Sequence, residues 1–137
     1  MLGEADVAHV ILVDDEPMVL SALSSLITLE TNHAAVTFGR GADALAYLSD
    51  GGAADVIVSD ILMPQMDGLT FLVQARELRP DVPRMILSGY ADRMGNLGEI
   101  DRAGAFVHME KPWENMMLLN NIRQGIKVSR RPLGGAA

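Results

Sequence analysis

Five side chains capable of phosphate chemistry occupy a recurring place in this sequence, at or just beyond the end of a short apolar run. Val10-Ile11-Leu12-Val13 runs into Asp14 and Asp15, and Val56-Ile57-Val58 leads across one serine to Asp60. Met85-Ile86-Leu87 ends at Ser88, and Ala105-Phe106-Val107 leads shortly to Lys111. If these runs are strands of one open parallel sheet, all five groups lie at the carboxyl ends of strands, where such sheets bind their ligands. Carboxylates from adjacent strands would converge there, and like charges about 4 Å apart cost about 4 kcal/mol at an intermediate effective dielectric. A cation is required. Only oxygen ligands are on offer at the strand ends, which selects a hard ion such as Mg²⁺ over zinc.

Such a site suits phosphoryl transfer, where a protein mainly positions groups and neutralises charge on three equatorial oxygens. Mg²⁺ would take one oxygen and the Lys111 ammonium another, with the Ser88 hydroxyl and backbone N–H groups after Asp60 taking the third. Asp60 is left as the nucleophile, since carboxylates form acyl phosphates. Each residue also has a plain structural reading. Asp14 and Asp15 could cap the following helix, Asp60 a loop, Ser88 a turn, and Lys111 could be a solvated lysine.

The elements that must position these groups alternate strictly. After the first run, Val19, Leu20, Leu23, Leu26 and Ile27 recur at helical spacing from Pro17 to about Glu30, with Pro17 suited to a first turn. Ala34 to Phe38 has the pattern of a strand with Val36 and Phe38 on one face, and Asp43 to Leu48 that of a short helix stopped by Asp50-Gly51-Gly52. The β-branched run at 56–58 gives a third strand. Pro64 and Gly68 then force a loop before a helix from Leu69 to Leu78, with Asp67 as its cap and Gly68 as a permissive turn. Met85–Leu87 and Ala105–Val107 supply strands four and five, and Trp113 to Val128 a last helix. Between those strands, Asp92 to Arg102 carries Gly95 and Gly98, each costing about 1 kcal/mol against alanine inside a helix, so a loose fourth helix is expected.

Five strand-helix units in alternation predict a doubly wound α/β fold, a five-stranded parallel sheet of flavodoxin-like order 2-1-3-4-5 with five helices on its two faces. Residues 1–8 form an N-terminal extension, 9–128 the domain, and 129–137 a flexible tail or linker, given Arg130, Arg131, Pro132 and the Gly-Gly-Ala-Ala end.

The length of 137 residues suits one domain with a real core, and 49% hydrophobic against 21% charged residues is ordinary for a globular chain. The absence of cysteine excludes disulfides and thiolate chemistry and suits a reducing cytoplasm. Met1 to His9 lacks the pattern of a secretory signal, and no segment approaches the roughly 18 apolar residues of a membrane span. A cytoplasmic location and no membrane partner are expected. The net charge of −7 opposes direct nucleic-acid binding by this segment. The nine methionines have the character of core or adaptable surface, and His9 and His33, away from the strand ends, are incidental.

Four blocks, Val13-Asp14-Asp15-Glu16-Pro17, Asp60-Ile61-Leu62-Met63-Pro64 with Met66-Asp67-Gly68, Leu87-Ser88-Gly89-Tyr90, and Lys111-Pro112, resemble in order and spacing the signatures of response regulator receiver domains of two-component systems. The resemblance covers roughly residues 8 to 128. It implies that Asp60 is phosphorylated by a sensor histidine kinase or a phosphotransfer protein. It further implies that Asp15, Asp60 and the Leu62 carbonyl hold Mg²⁺, that Asp14 assists through water, and that Ser88 and Lys111 contact the phosphoryl group. A cis Lys111-Pro112 peptide would aim the ammonium inward, again as the resemblance implies.

Two positions depart from the family pattern. His108 stands where tyrosine or phenylalanine usually serves as a rotating switch, and imidazole titrates near neutrality, which would add pH dependence. Ser88 replaces the commoner threonine and keeps its hydroxyl. Leu62 and Tyr90, two positions after Asp60 and Ser88, are expected to restrict attacking water and slow phosphate loss. Ser88, Tyr90 and His108 form the expected switch, shifting the face made by the fourth helix, fifth strand and last helix. That face is the expected contact for a second copy or for an output domain, fused or separate. Ser88-Gly89-Tyr90-Ala91-Asp92 and Lys111-Pro112-Trp113 resemble receivers fused to cyclic-dinucleotide phosphodiesterases or hydrogenase-type transcriptional regulators.

The expected role is that of a regulatory phosphoacceptor rather than an enzyme. A haloacid-dehalogenase-like phosphatase would need a second acid two residues after its nucleophile, where this chain has Leu62. A pseudo-receiver, acting unphosphorylated as an interaction module, is the remaining alternative.

Overall fold

The computed structural model describes residues 7–61, 68–89, 98 and 102–130. The elements are β1 (His9–Val13), α1 (Pro17–Glu30), β2 (Ala34–Phe38), α2 (Gly41–Ser49), β3 (Val56–Ser59), α3 (Gly68–Leu78), β4 (Arg84–Ser88), β5 (Val107–Glu110) and α4 (Asn115–Ser129). The strands form one sheet in the order β2-β1-β3-β4-β5, every adjacent pair parallel. This is the flavodoxin-like arrangement.

Burial on both faces explains why the inner strands have unbroken apolar sequences rather than alternating ones. Alternate residues of each strand feed two different cores. Ile11, Val13, Ile57 and Ile86 pack with Ala44 and Leu48 of α2 and Phe71, Leu72 and Ala75 of α3. Val10, Leu12, Val58, Met85 and Leu87 pack on the other face with Leu23 and Ile27 of α1 and Leu118 and Ile122 of α4. At β2, Val36 and Phe38 lean on the first core and Ala35 on the second, as the spacing predicts.

Helix limits follow local chemistry. Pro17 opens α1, where a missing N–H costs nothing, and Thr31 closes it by donating both its N–H and its hydroxyl to the Ile27 carbonyl. Gly51, at φ +86°, turns the chain after α2. The Glu114 carboxylate caps α4, accepting from the N–H groups of Met116 and Met117.

One expectation is corrected and one lies largely outside the described residues. Strand five begins at Val107 rather than Ala105, because the register pairs Met85 with Val107 and Ser88 with Glu110. Phe106 precedes it, 42% exposed. An edge strand has one neighbour and tolerates polar residues, so the apolar run marks its approach and not its extent. Helices number four among the described residues. The fourth helix expected over Asp92 to Arg102 lies almost wholly outside them, although Gly98, Arg102 and Ala103 are helical. None of the described helices is long and apolar enough to cross a membrane.

Candidate functional site

Asp14 follows the last residue of β1 and Asp60 the last residue of β3, and the two strands are adjacent in register. Both carboxylates are buried, while Asp15 is exposed at the rim. One oxygen from each of Asp14, Asp15 and Asp60 lies within 4.8 Å of the others. The predicted convergence of acids is present.

A protein cation already answers part of the repulsion. The Lys111 ammonium, delivered from beyond β5, donates to Asp14 Oδ2 at 3.0 Å and to Asp60 Oδ2 at 3.2 Å, with Glu16 Oε1 at 3.8 Å. Burial pulls its pKa down, but the hydrogen bond to Asp14 and the charges of Asp60 and Asp14 outweigh that and raise it above the ordinary lysine value. One ammonium against three carboxylates still leaves the cup anionic. The Lys111-Pro112 peptide is cis.

The remaining carboxylate oxygens have backbone donors. Asp14 Oδ1 accepts from Glu16 N at 2.9 Å, bracing the turn into α1, whose N-cap is Glu16 and not Asp14. Asp60 Oδ1 accepts from Ile61 N at 2.7 Å. Gly68 N donates to the Ile61 carbonyl, and a Cβ at Gly68 would collide with the Asp60 carbonyl and sit 2.6 Å from Ile61 Cα. Close approach, rather than a positive φ, is what requires glycine here.

Ser88, at the end of β4 beside β3, is 1% exposed, and its hydroxyl has no hydrogen-bond partner among the described residues. A buried hydroxyl without a partner is costly, and this one stands at the end of the sheet where parallel sheets take their ligands. Its carbonyl accepts from Lys111 N at 3.0 Å, joining the two residues through their backbones.

His108 lies in β5 opposite Ile86, half-buried, and with Trp113, Met117 and Leu118 lines a cavity of about 580 Å³ between the edge strand and α4. Leu62, Tyr90 and Asp67 lie outside the described residues. His33 has a structural task, its Nδ1 accepting from Ala8 N at 3.0 Å. Glu16, 3.8 Å from the Lys111 ammonium, joins the site although nothing in its residue type alone points there. Its place in the Asp-Asp-Glu-Pro block is the signal that marks it.

Donors and acceptors at the carboxyl ends of β1, β3, β4 and β5 thus define a doubly wound domain with an acidic cup bridged by a lysine. Residues 10–123 match the response regulator receiver domain family, and the chain belongs to it. It is similar to the hydrogenase transcriptional regulatory protein HoxA of Bradyrhizobium diazoefficiens, 31% identical over 88% of this chain and 24% of that protein. It is also similar to the transcriptional regulatory protein FixJ of Rhizobium meliloti, 30% identical over 82% of this chain and 54% of FixJ. The chain therefore spans between about a quarter and a half of these relatives. A crystal structure of the signal receiver domain of an HD domain-containing protein from Pseudomonas fluorescens superposes with a TM-score of 0.84 at 25% identity, covering 92% of this chain and 99% of that one.

Proposed function

We propose that this receiver domain accepts a phosphoryl group on Asp60 from the phosphohistidine of a sensor kinase or phosphotransfer protein. The observation that carries the reading is the Lys111 ammonium held between Asp14 and Asp60, beside a buried and unpartnered Ser88 hydroxyl. A carboxylate oxygen of Asp60 attacks phosphorus, the O–P bond forming as the P–N bond breaks and the imidazole leaves with a proton. Lys111 meets charge developing on one phosphoryl oxygen, and Ser88 supplies its hydroxyl to another.

The donor set fits Mg²⁺: three carboxylates within reach of one another, all oxygen, with one of them open to solvent. Asp15, Asp60 and the Leu62 carbonyl would hold the ion directly and Asp14 through water. When bound it neutralises the excess negative charge of the cup and of the incoming phosphate.

Phosphorylation then acts through Ser88, Tyr90 and His108 on the face formed by the segment before β5, by β5 and by α4. That face is the contact for a second copy or for an output domain, fused or separate. The domain is regulatory, works in the cytoplasm, and assists only its own phosphorylation and dephosphorylation. The test is uptake of label from acetyl phosphate. Uptake that requires Mg²⁺, is released by hydroxylamine and vanishes in Asp60→Asn is expected; an unlabelled wild type would leave the pseudo-receiver reading.

A further inference from the structure

Lys111 reaches the two buried acids only if β5 keeps its register, and β5 is a four-residue edge strand with β4 as its one neighbour. Short edge strands specify register weakly by themselves. The opposite end of the strand pair holds a feature that compensates. Arg84, the first residue of β4, is 7% exposed, and its guanidinium donates from Nε to the Ala103 carbonyl at 3.1 Å, from Nη2 to the Gly104 carbonyl at 3.3 Å, and from Nη1 to the Val82 carbonyl at 2.8 Å. Arg76 of α3 adds Nη1 to the Arg102 carbonyl at 3.0 Å.

Two arginines therefore hold three successive carbonyls, those of residues 102, 103 and 104, in the stretch that feeds β5. Residues 102 and 103 are helical and Gly104 has φ +63°, so these oxygens are the unsatisfied acceptors of a helix end. A Cβ at Gly104 would come within 2.9 Å of the Arg76 guanidinium, which places the arginine flat against the turn. Two residues on, Phe106 N donates to the Arg84 carbonyl at 2.6 Å. The arrangement is electrostatically unfavourable: burial and then the charge of Arg76 lower the Arg84 pKa, and no ion pair with a carboxylate offsets this among the described residues. A planar fork of five donors meets several carbonyls at once in a fixed, spread geometry, which the compact ammonium of a lysine does not reproduce and an apolar residue cannot supply.

We infer that Arg84, with Arg76, is a positioning residue for Lys111: the pair clamps residues 102–104, fixes the register of β5, and so sets the ammonium between Asp14 and Asp60. The strand is pinned at its start by the clamp and at its end by the Lys111 N–H on the Ser88 carbonyl.

This rests on the proposed phosphoacceptor role, and the test separates the two. Phosphoryl uptake from acetyl phosphate with Mg²⁺ is compared for wild type, Arg84→Lys, Arg76→Gln and Lys111→Ala, alone and combined, well below the unfolding temperature. Arg76→Gln changes an exposed side chain, so a folded variant is secured. Arg84→Lys is expected to slow uptake roughly three- to tenfold, and Arg76→Gln less, while neither slows it further once Lys111 is alanine. A merely structural role would give equal losses in both backgrounds, which overturns the inference.

Lysine-selective isotope labelling gives a readout independent of activity, because the chain has two lysines, Lys111 and Lys127. The Lys111 side-chain resonance should move toward that of exposed Lys127 in Arg84→Gln and Arg76→Gln, neither of which adds a lysine. An unmoved resonance contradicts the inference even if the wild type takes up no phosphate. A wild type that takes up none while the resonance shifts contradicts the phosphoacceptor role alone.

Discussion

Lys111 Nζ and Asp60 Oδ2 stand 3.2 Å apart, in direct ion contact across the mouth of the sheet. The ammonium proposed to meet an incoming phosphate is therefore already seated on the proposed phosphoacceptor, and it also holds Asp14. Before any phosphoryl group arrives, the lysine serves as the counterion of the two buried acids.

Removing that counterion should cost stability. Lys111→Met is expected to lower unfolding free energy by about 1–3 kcal/mol in chelator, between the exposed and buried limits for an ion pair, because the lysine is only partly buried. Its folded pKa lies above the ordinary value of 10.5, so the stabilisation is complete below that pH and is lost as pH rises through the folded value. Denaturant titrations of both proteins should show a steady gap from neutral pH up to about 10.5 that closes as pH rises further. Equal stability at neutral pH would contradict the counterion role.

Ser88→Ala should separate stability from function. The hydroxyl is buried without a partner among the described residues, so its removal should leave stability unchanged or raise it by up to about 1 kcal/mol. Phosphoryl uptake should nevertheless slow. A marked loss of stability would mean that the hydroxyl is satisfied within the folded chain.

Mg²⁺ should be visible to the single tryptophan, Trp113, two residues beyond Lys111. A saturable change in its emission on Mg²⁺ addition is expected, with the midpoint moved roughly tenfold or more to higher concentration in Asp15→Asn. An identical midpoint in the variant would remove Asp15 from the metal site.

Gly68→Ala should destabilise by about 2–3 kcal/mol, because the added methyl meets backbone at Asp60 and Ile61 and not a side chain that could swing aside. Urea unfolding checks this, and a neutral effect would mean that α3 can move away from the site at little cost.

The inner sheet was legible in sequence because burial on both faces leaves continuous apolar runs, and each run stops where a polar group is needed. The limits of α1 and β2 were readable for the same reason, with Pro17 and the Val36–Phe38 alternation marking them. The apolar run sets strand five too early, because an edge strand carries His108 and Glu110 without penalty, while the apolar Ala105 and Phe106 lie before the pairing begins. Asp14, Asp15 and Asp60 were legible as a cluster once the strand order was known. The requirement for glycine at 68 and the Arg84 clamp were not, since both arise from contacts between backbone segments brought together only by folding. Nor does sequence disclose that Lys111 takes up part of the charge assigned there to a metal.

The central claim is that Asp60 is the phosphoacceptor, and intact mass after incubation with acetyl phosphate and Mg²⁺, followed by borohydride reduction and peptide mapping, tests it most directly. Addition of a single phosphoryl group, and conversion of residue 60 to homoserine on reduction, is the expected result. No mass gain in the wild type, or the same gain in Asp60→Asn, would contradict it.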